Sequence, residues 1–182
     1  DNGISFLRKK HWQQHYGLSF ELFCLAAKCA LATGDFVSLK LLSEQVLTNA
    51  NTFEEKIPVM FCSMCALTFS GQFSKAAVQI ESTLSLLNEA LPEQPSSSTM
   101  LQIVSQTLDR LELYSISELK GLKRMSHSTK NITMLFLKLL HFCYFVTNPE
   151  KQPIVITKMI ELTLSHGTCE GTPLAFALFG SM

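Results

Sequence analysis

Two short groups of cysteine and histidine are the first places in this sequence where reactive side chains stand at a chemically useful spacing. Cys62 and Cys65 have the spacing of a redox-active pair or of half a zinc site. A redox pair needs its first thiol at a helix N-terminus, and a zinc site needs two further ligands. The pair falls inside a predicted helix and no second close pair follows, so we interpret both residues as reduced, metal-free core cysteines.

His11 and His15 stand one helical turn apart, the spacing that zinc enzymes use when a glutamate lies between the two imidazoles. The intervening residues here are a tryptophan and two glutamines. We therefore predict a partly exposed helix start in which Trp12 packs with Tyr16. The other histidines have no ligand partner nearby in the sequence, and the last of them should be a favourable charge at a helix C-terminus: His127, His141 and His166.

Motifs for nucleophilic catalysis and for phosphate binding are missing from the sequence. No serine lies in a Gly-x-Ser-x-Gly elbow, and the eight glycines form no phosphate loop. We predict no catalytic residue, no cofactor, no metal and no identifiable small-molecule ligand for this chain. Asn131 matches a glycosylation acceptor, but it opens a helix expected to be buried. The alternative is an enzyme domain whose site assembles from scattered residues, such as His11, His15, Cys62 and Cys65.

The charge balance argues against nucleic acid and anionic membranes as partners. Lysine plus arginine number 15, as do aspartate plus glutamate, and neither sign forms a long run. The short basic groups at 8–10 and 123–124 are expected to be solvated helix ends. Six cysteines, mostly in apolar helical runs, indicate a reducing, cytoplasmic environment. No secretory signal is visible and both ends look cut, so we expect a segment of a larger protein.

An internal repeat organises the first half of the chain. Residues 26–47 align without a gap on residues 63–84, at an offset of 37 (63 minus 26), within the range of tandem helical hairpins. Each copy reads as a helix, a left-handed glycine that ends it, and an aromatic residue that opens the next helix by packing back. The equivalent pairs are Gly34 with Gly71, Phe36 with Phe73, Leu39 with Ala76, and Leu47 with Leu84.

Helical spacing of apolar residues covers most of the chain. Gly3 to Lys10 reads as the end of a helix. Thr52 and Glu55 form a capping box, but Pro58 argues for a start nearer Ile57. The helix after Gly71 should bury Phe73, Ala76, Ala77, Ile80, Leu84 and Leu87 and expose Lys75, Gln79, Ser82 and Glu89. Further helices are expected over 18–33, 36–50, from Leu101 to Leu111, 115–121, 132–146, 149–166 and from Thr172. The apolar face of the helix over 18–33 is predicted from the helical spacing of Leu18, Leu22, Leu25, Ala26, Cys29 and Ala30. The expected caps are Asp35 for the helix over 36–50, Ser115 with Glu118 for the short helix over 115–121, and Asn148 for the helix that starts at Pro149.

The segment 132–146 should be the central helix of the second half. It is apolar on nearly every side except a narrow stripe of Asn131, Lys138 and His141, so we expect a buried helix with neighbours on both flanks. If Leu139 is fully buried, Leu139→Ala should cost about 2–5 kcal/mol. It is too short to span a membrane, which needs roughly 20 residues. The breaker-rich stretch 91–98 is the predicted seam between helical hairpins at 1–90 and further hairpins at 99–182. The predicted fold is all-α, with tandem antiparallel helical hairpins in a tetratricopeptide-like α-solenoid truncated at both ends.

Several segments taken together resemble one family, the helical-repeat region that follows the P-loop ATPase module of very large signalling proteins. The order and spacing of weak motifs carry the resemblance across nearly the whole chain. The segments are Trp12, His15 to Tyr16, Leu18 to Ala27, Gly34 to Phe36, Glu44 to Leu47, Gly71 to Ala76, Leu86 to Leu87, Leu91 to Pro92, Ser115 to Ile116, Leu119, Leu122, Met125, Lys130, Asn148 to Pro149, Lys158 to Met159 and Leu162 to Gly167.

The resemblance implies a non-catalytic scaffold in two-component-type signal transduction. Proteins of that family join a protein-kinase-like domain, an ATPase of AAA or NACHT type, tetratricopeptide-like helices, a GAF domain and often a histidine kinase. None of their catalytic motifs falls in this chain, so the enzyme activity and ATP binding would belong to the parent protein. The expected partners are protein domains, mainly within the same parent chain. The alternative is a self-contained repeat adaptor, which would differ from such a scaffold only in its flanking sequence.

Overall fold

The structure, a computed structural model, describes residues 2–5, 7, 10–93 and 96–182. Predictions that concern Phe6, Arg8 and Lys9, and part of the loop 91–98, lie outside these residues. The described chain is all-α: it holds eleven α-helices and no strand, and about 78% of it is helical. Two compact units divide it, Asp1–Gln72 and Phe73–Met182. The loop 91–98 lies within the second unit, and the domain ranges and solenoid arrangement expected from the sequence stay predictions.

The first unit is built around a hairpin of two long helices. Its helices are α1 (Asn2–Ser5), α2 (His11–Gln14), α3 (Tyr16–Thr33), α4 (Phe36–Asn49) and α5 (Phe53–Phe69). Helix α3 packs on α4 and α5, and α4 packs on α5. Gly34 ends α3 in the left-handed region at φ 73°, and the Asp35 side chain accepts from the amide of Ser38 to start α4. The predicted turn chemistry of this hairpin is confirmed.

The buried face of α3 differs from the predicted one. Ser19, Phe23 and Ala27 point into the core, whereas Leu18 and Leu25 are 54% and 59% exposed. The Ser19 hydroxyl tolerates burial because it donates to the backbone carbonyl of His15 at 2.9 Å. The core of this unit is formed by Phe23, Cys24, Ala27, Ala30, Leu39, Val46, Val59 and Cys62.

Helix α5 begins four residues before the start that Pro58 suggested. The capping box of Thr52 and Glu55 is present with both of its bonds, and the helix starts at Phe53 with Pro58 inside it. The Glu55 carboxylate also accepts from the Tyr16 hydroxyl at 2.5 Å and from the amide of Asn51 at 2.8 Å. These bonds, with the buried side chains that follow, hold the first turns in place despite the missing amide of the proline.

The second unit packs its helices around two central ones. Its elements are α6 (Phe73–Leu86), α7 (Ser97–Glu112), α8 (Ile116–Lys120), α9 (Ser128–Thr147), a 3₁₀ turn (Pro149–Lys151), α10 (Gln152–His166) and α11 (Thr172–Phe179). Helix α9 packs on α6 and α10, and α10 also packs on α7 and α11. The predicted neighbours on both flanks of α9 are confirmed. The buried side chains include Ile80, Leu84, Met134, Phe136, Leu137, Leu140, Val155, Met159 and Ile160.

Some helix starts in the second unit differ from the predicted ones. The capping box of Ser115 and Glu118 is confirmed at α8. Asn148 makes no capping bond, and Pro149 opens the 3₁₀ turn instead of α10. Asn148 has φ −145° and ψ 67°, and its side-chain amide donates to Glu150 at 3.3 Å. The chain therefore tightens for one turn before the regular helix begins at Gln152.

The repeat is only partly visible in the side chains. Gly34 and Gly71 both have positive φ, 73° and 74°, as predicted. The expectation that both aromatic residues are buried is wrong, because Phe36 is 37% exposed and Phe73 is half-buried. The second copy, 63–84, is divided between the two units after Gln72. Superposition of the two copies therefore stays a prediction.

Candidate functional site

The Cys62 and Cys65 pair is buried in the middle of α5. Their exposed fractions are 3% and 8%, and neither forms a disulfide in the part of the chain that the structure describes. Burial raises the pKa of the Cys62 thiol, which disfavours the thiolate that redox chemistry and metal binding need. The predicted burial is confirmed, and the predicted absence of metal stays a prediction.

The remaining cysteines fit the core interpretation less uniformly. Cys24 and Cys143 are buried, as expected from their apolar surroundings. Cys169 is only partly exposed, and Cys29 is exposed. Cys29 lies on the face of α3 that the sequence assigned to the core, so the correction to that face also places this thiol in solvent.

His11 and His15 do not share a helix face. His15 is the joint between α2 and α3, with φ −138° and ψ 51°, and its side chain is exposed. The His11 ring stacks on Phe23 with centroids 5.7 Å apart, and its Nδ1 lies 2.9 Å from the Ser19 hydroxyl. The rings of Trp12 and Tyr16 are 5.9 Å apart, which confirms the predicted aromatic packing. This region is therefore a packed helix start.

His127 and His166 lie close together although 38 residues, 128 to 165, separate them in the sequence. Their ring centroids are 6.3 Å apart and the rings meet edge to face. His127 precedes α9, and His166 is the last residue of α10, which is the helix end where the sequence placed it. Sequence reasoning treated each histidine alone, because nothing in the spacing indicates that these two helix ends meet.

A buried carboxylate binds two lysines at the end of α6. Glu89 is 5% exposed, and its carboxylate pairs with Lys130 and, at 2.6 Å, with the ammonium group of Lys158. We call these three residues the Glu89 cluster. The prediction that Glu89 faces solvent is wrong, because α6 ends at Leu86 and Asn88 turns the chain inward at φ 60°.

The Glu89 cluster joins three elements, and its carboxylate is held ionised. Burial alone would raise the pKa of Glu89, but the hydrogen bonds and charges of Lys130 and Lys158 outweigh burial and hold the pKa below its usual value. Lys130 lies in the first turn of α9 and Lys158 in the middle of α10. The carboxylate therefore fixes the end of α6 against both helices.

A second polar group connects α6 to the far end of α9. The Tyr144 hydroxyl donates to the Glu81 carboxylate. The ammonium group of Lys151 lies 3.8 Å from that carboxylate and 5.4 Å from the Tyr144 ring centre. Burial, with the carboxylate nearby, raises the pKa of Tyr144, so the phenol stays protonated and keeps donating. Glu81 is therefore a structural residue of this unit.

With both of its ends fixed, α9 leaves one apolar face uncovered. Leu135, Phe142, Phe145 and Val146 are 36%, 49%, 64% and 50% exposed, and we call these four residues the α9 face. Leu135, Phe142 and Val146 follow the spacing i, i+7 and i+11, so these three side chains form one stripe along the helix. Leu139, between them, is half-buried, so the condition for its predicted cost of about 2–5 kcal/mol is not met. The prediction that α9 is buried apart from its polar stripe is wrong for this face.

Two neighbours border the α9 face. The Phe73 ring meets Phe142 edge to face, with centroids 5.8 Å apart. Lys138 lies on the same side of the helix and is partly exposed. An uncovered group of large apolar side chains at helical spacing is typical of a surface that packs against another helix or domain. The arrangement can bury apolar area, and the described residues contain no group of three or more histidine, cysteine, aspartate or glutamate side chains suited to a metal.

The first unit has an open groove of its own. Its volume is about 350 Å³, and its walls come from α1, α3 and the start of α4. The lining is mixed: Ile4, Leu22 and Leu42 add apolar surface, and Thr33, Asp35 and Ser38 add polar atoms. The Asp35 carboxylate already accepts the capping bond of α4, so its role in the groove is to start that helix.

Comparison of the chain with protein-family models, with curated proteins and with solved structures found no match.

Among the described helices, one is long and apolar enough to cross a membrane by length and composition, and it is α3, not α9. Core helices of soluble proteins share this length and composition. In this structure α3 packs on α4 and α5.

Proposed function

We propose that this chain is a non-catalytic helical scaffold that binds protein domains through the α9 face. The observation that supports the proposal is the uncovered stripe of Leu135, Phe142 and Val146, with Phe145 beside it. The helix that carries these residues packs on α6 and α10. A face of this kind on a rigid support can contact one arrangement of a neighbouring domain better than another. Such differential contact is the only way in which a scaffold shifts an equilibrium between domain arrangements.

The energy available from the α9 face is sufficient for regulation. Burying a whole phenylalanine side chain contributes about 1.5–3 kcal/mol. Phe142 and Phe145 are each about half exposed, so covering both would contribute roughly that amount. Allosteric coupling between sites is typically about 1–3 kcal/mol. The two rings therefore supply enough free energy to bias neighbouring domains.

The proposed setting is a large cytoplasmic signalling protein that contains an ATPase and a kinase. This part of the proposal rests on the resemblance of the sequence to the helical region that follows a P-loop ATPase module. The partner domains would then belong to the same parent chain, and the chemistry would belong to those domains. The chain itself would bind no nucleotide and need no cofactor.

The test replaces the two exposed rings with residues that keep the helix. Phe142→Gln with Phe145→Gln removes the apolar face while retaining good helix formers. We expect unchanged helicity by circular dichroism and altered ATPase or kinase output of the parent protein. The matched control is Val37→Gln with Leu41→Gln, two residues of α4 that are 76% and 60% exposed. Unchanged output in the Phe142 and Phe145 variant, or an equal change in the control, would contradict the proposal.

A nucleotide titration of the chain tests the non-catalytic part. We expect no saturable binding of Mg-ATP, because the sequence has no phosphate-binding loop. Saturable binding with one nucleotide per chain would overturn the scaffold interpretation in favour of an enzyme or nucleotide-binding domain.

A further inference from the structure

We propose that His127 and His166 form a site for one divalent first-row transition-metal ion, with water completing the coordination sphere. The two imidazoles are exposed, and no hydrogen bond to either ring is found among the described residues. Imidazole is a ligand for zinc, nickel and copper, and two of them converge here with ring centroids 6.3 Å apart. The proposal is independent of the scaffold function.

The backbone on both sides of the pair is fixed. The amide of Met125 donates to the carbonyl of Thr168 at 2.7 Å, and the amide of Thr168 donates to the carbonyl of Lys123 at 2.8 Å. These bonds form a short parallel bridge between the segments that carry the two histidines. Gly167 makes the approach possible, because a Cβ there would lie 2.2 Å from the Lys123 carbonyl oxygen. The two segments are therefore held together before any ion binds.

The distance between the rings suits chelation after a small side-chain adjustment. Two imidazoles that bind one zinc ion at about 2.1 Å in a tetrahedral arrangement have their ring centres about 5–5.5 Å apart. The observed centroid distance of 6.3 Å must therefore shorten by about 1 Å. Exposed side chains change rotamer freely, so turning the two rings supplies this movement without a change in the backbone.

The local charges and ligand types define which ions fit. Two neutral nitrogen ligands with water favour Zn²⁺, Ni²⁺ and Cu²⁺ over Mg²⁺ and Ca²⁺, which prefer oxygen ligands. Lys123 and Arg124 are exposed nearby and carry positive charge, so the site should be weaker than one supported by carboxylates. A bound ion would connect the start of α9 to the end of α10, and should raise the unfolding temperature of the chain.

The test is a titration of the whole chain with Ni²⁺ and Zn²⁺ in a Cys29→Ser background, which removes the exposed thiol as a competing ligand. We expect one ion per chain. His127→Ala and His166→Ala should each weaken binding about tenfold or more, because each removes one of only two protein ligands. His15→Ala is the matched control, since it removes an exposed histidine from the other unit and should change nothing.

Three results would overturn the proposal. They are equal affinity in the parent and both alanine variants, equal weakening by His15→Ala, and binding lost on Cys169→Ser but kept in His127→Ala. Circular dichroism of each variant shows that it is folded. Proton NMR of the imidazole C–H groups gives an independent measurement, because Zn²⁺ should shift the signals of His127 and His166 and leave that of His15 in place.

Discussion

The two units of this chain stabilise their helices by different means. In the first unit the core is apolar apart from small hydroxyl side chains such as Ser19, and the ion pair of Lys40 with Glu44 lies in solvent, with side chains 78% and 55% exposed. In the second unit Glu89, 5% exposed, is paired with Lys130 and Lys158 between helices. Exposed pairs contribute little to stability, whereas a buried carboxylate depends strongly on its partners. The second unit should therefore be the more sensitive to loss of a single charge.

The largest effect should come from the centre of the second unit. Leu140 is fully buried in α9, and Leu140→Ala should lower the free energy of unfolding by about 2–5 kcal/mol through lost burial and a cavity. Leu139→Ala, one position along the helix, is the control and should cost less, because Leu139 is half-buried. Denaturant unfolding measures both. Equal costs would mean that α9 packs with another face inward.

Removing the charge of Glu89 should have the next largest effect. Glu89→Gln leaves two lysines without a carboxylate and should cost about 2–4 kcal/mol. We expect this cost to be somewhat smaller than that of breaking a fully buried ion pair, because the lysine side chains remain 23% and 26% exposed. Glu44→Gln in the first unit is the matched control. If both variants lost the same stability in denaturant unfolding, the contrast between the two units would fail.

Glycine substitutions should separate backbone strain from steric conflict. At Gly34, with φ 73° and nothing within 4 Å of an added Cβ, alanine should cost about 1–2 kcal/mol from the left-handed backbone alone. At Gly167 the same change adds contact with the Lys123 carbonyl oxygen and should cost more. Thermal unfolding of the two variants gives the comparison. A smaller loss for Gly167→Ala would contradict the close approach of the two segments in the second unit.

The smallest expected effect is the response to acid. Because the folded pKa of Glu89 lies below its unfolded value, the stability it contributes is fully present above the unfolded pKa, about 4.3, and is lost as the pH falls through the folded value. Asp35 and Glu55 in the first unit also have lowered pKa values, so both units lose stability in acid. Unfolding measured between pH 5 and pH 2.5 should depend less on pH in Glu89→Gln than in the parent chain. An unchanged slope would show that Glu89 is not held ionised.

The contrast between α6 and α3 shows what the sequence could predict. The buried face of α6 was predicted well, because apolar residues fill one side and polar residues the other, so Ala76, Ile80 and Leu84 are buried as expected. Helix α3 is apolar on most sides, and its pattern could not tell that Leu25 faces solvent while Ser19 is buried. Capping residues were predicted more reliably where both partners are local, as at Thr52 and Glu55.

Sites assembled from distant residues left almost no local signal. The Glu89 cluster joins residues from α9, α10 and the segment after α6, and the histidine pair joins the ends of α9 and α10. Helix ends could have given a partial hint, because Asn88 is a residue that tolerates positive φ and thus indicates that α6 stops before Glu89. The α9 face could not be recognised, because apolarity on every side of a helix does not show which side has neighbours.

Hydroxyl-radical footprinting of the native side chains tests most directly whether the α9 face is covered by protein in the working assembly. The chain alone is compared with the proposed parent protein purified from its own cells. We expect Phe142 and Phe145 to be oxidised in the chain alone, where they are 49% and 64% exposed, and to be protected several-fold in the proposed parent protein. Val37 and Leu41 should be oxidised in both samples. Equal oxidation of the two phenylalanines in both samples would contradict the proposal that the α9 face binds protein domains.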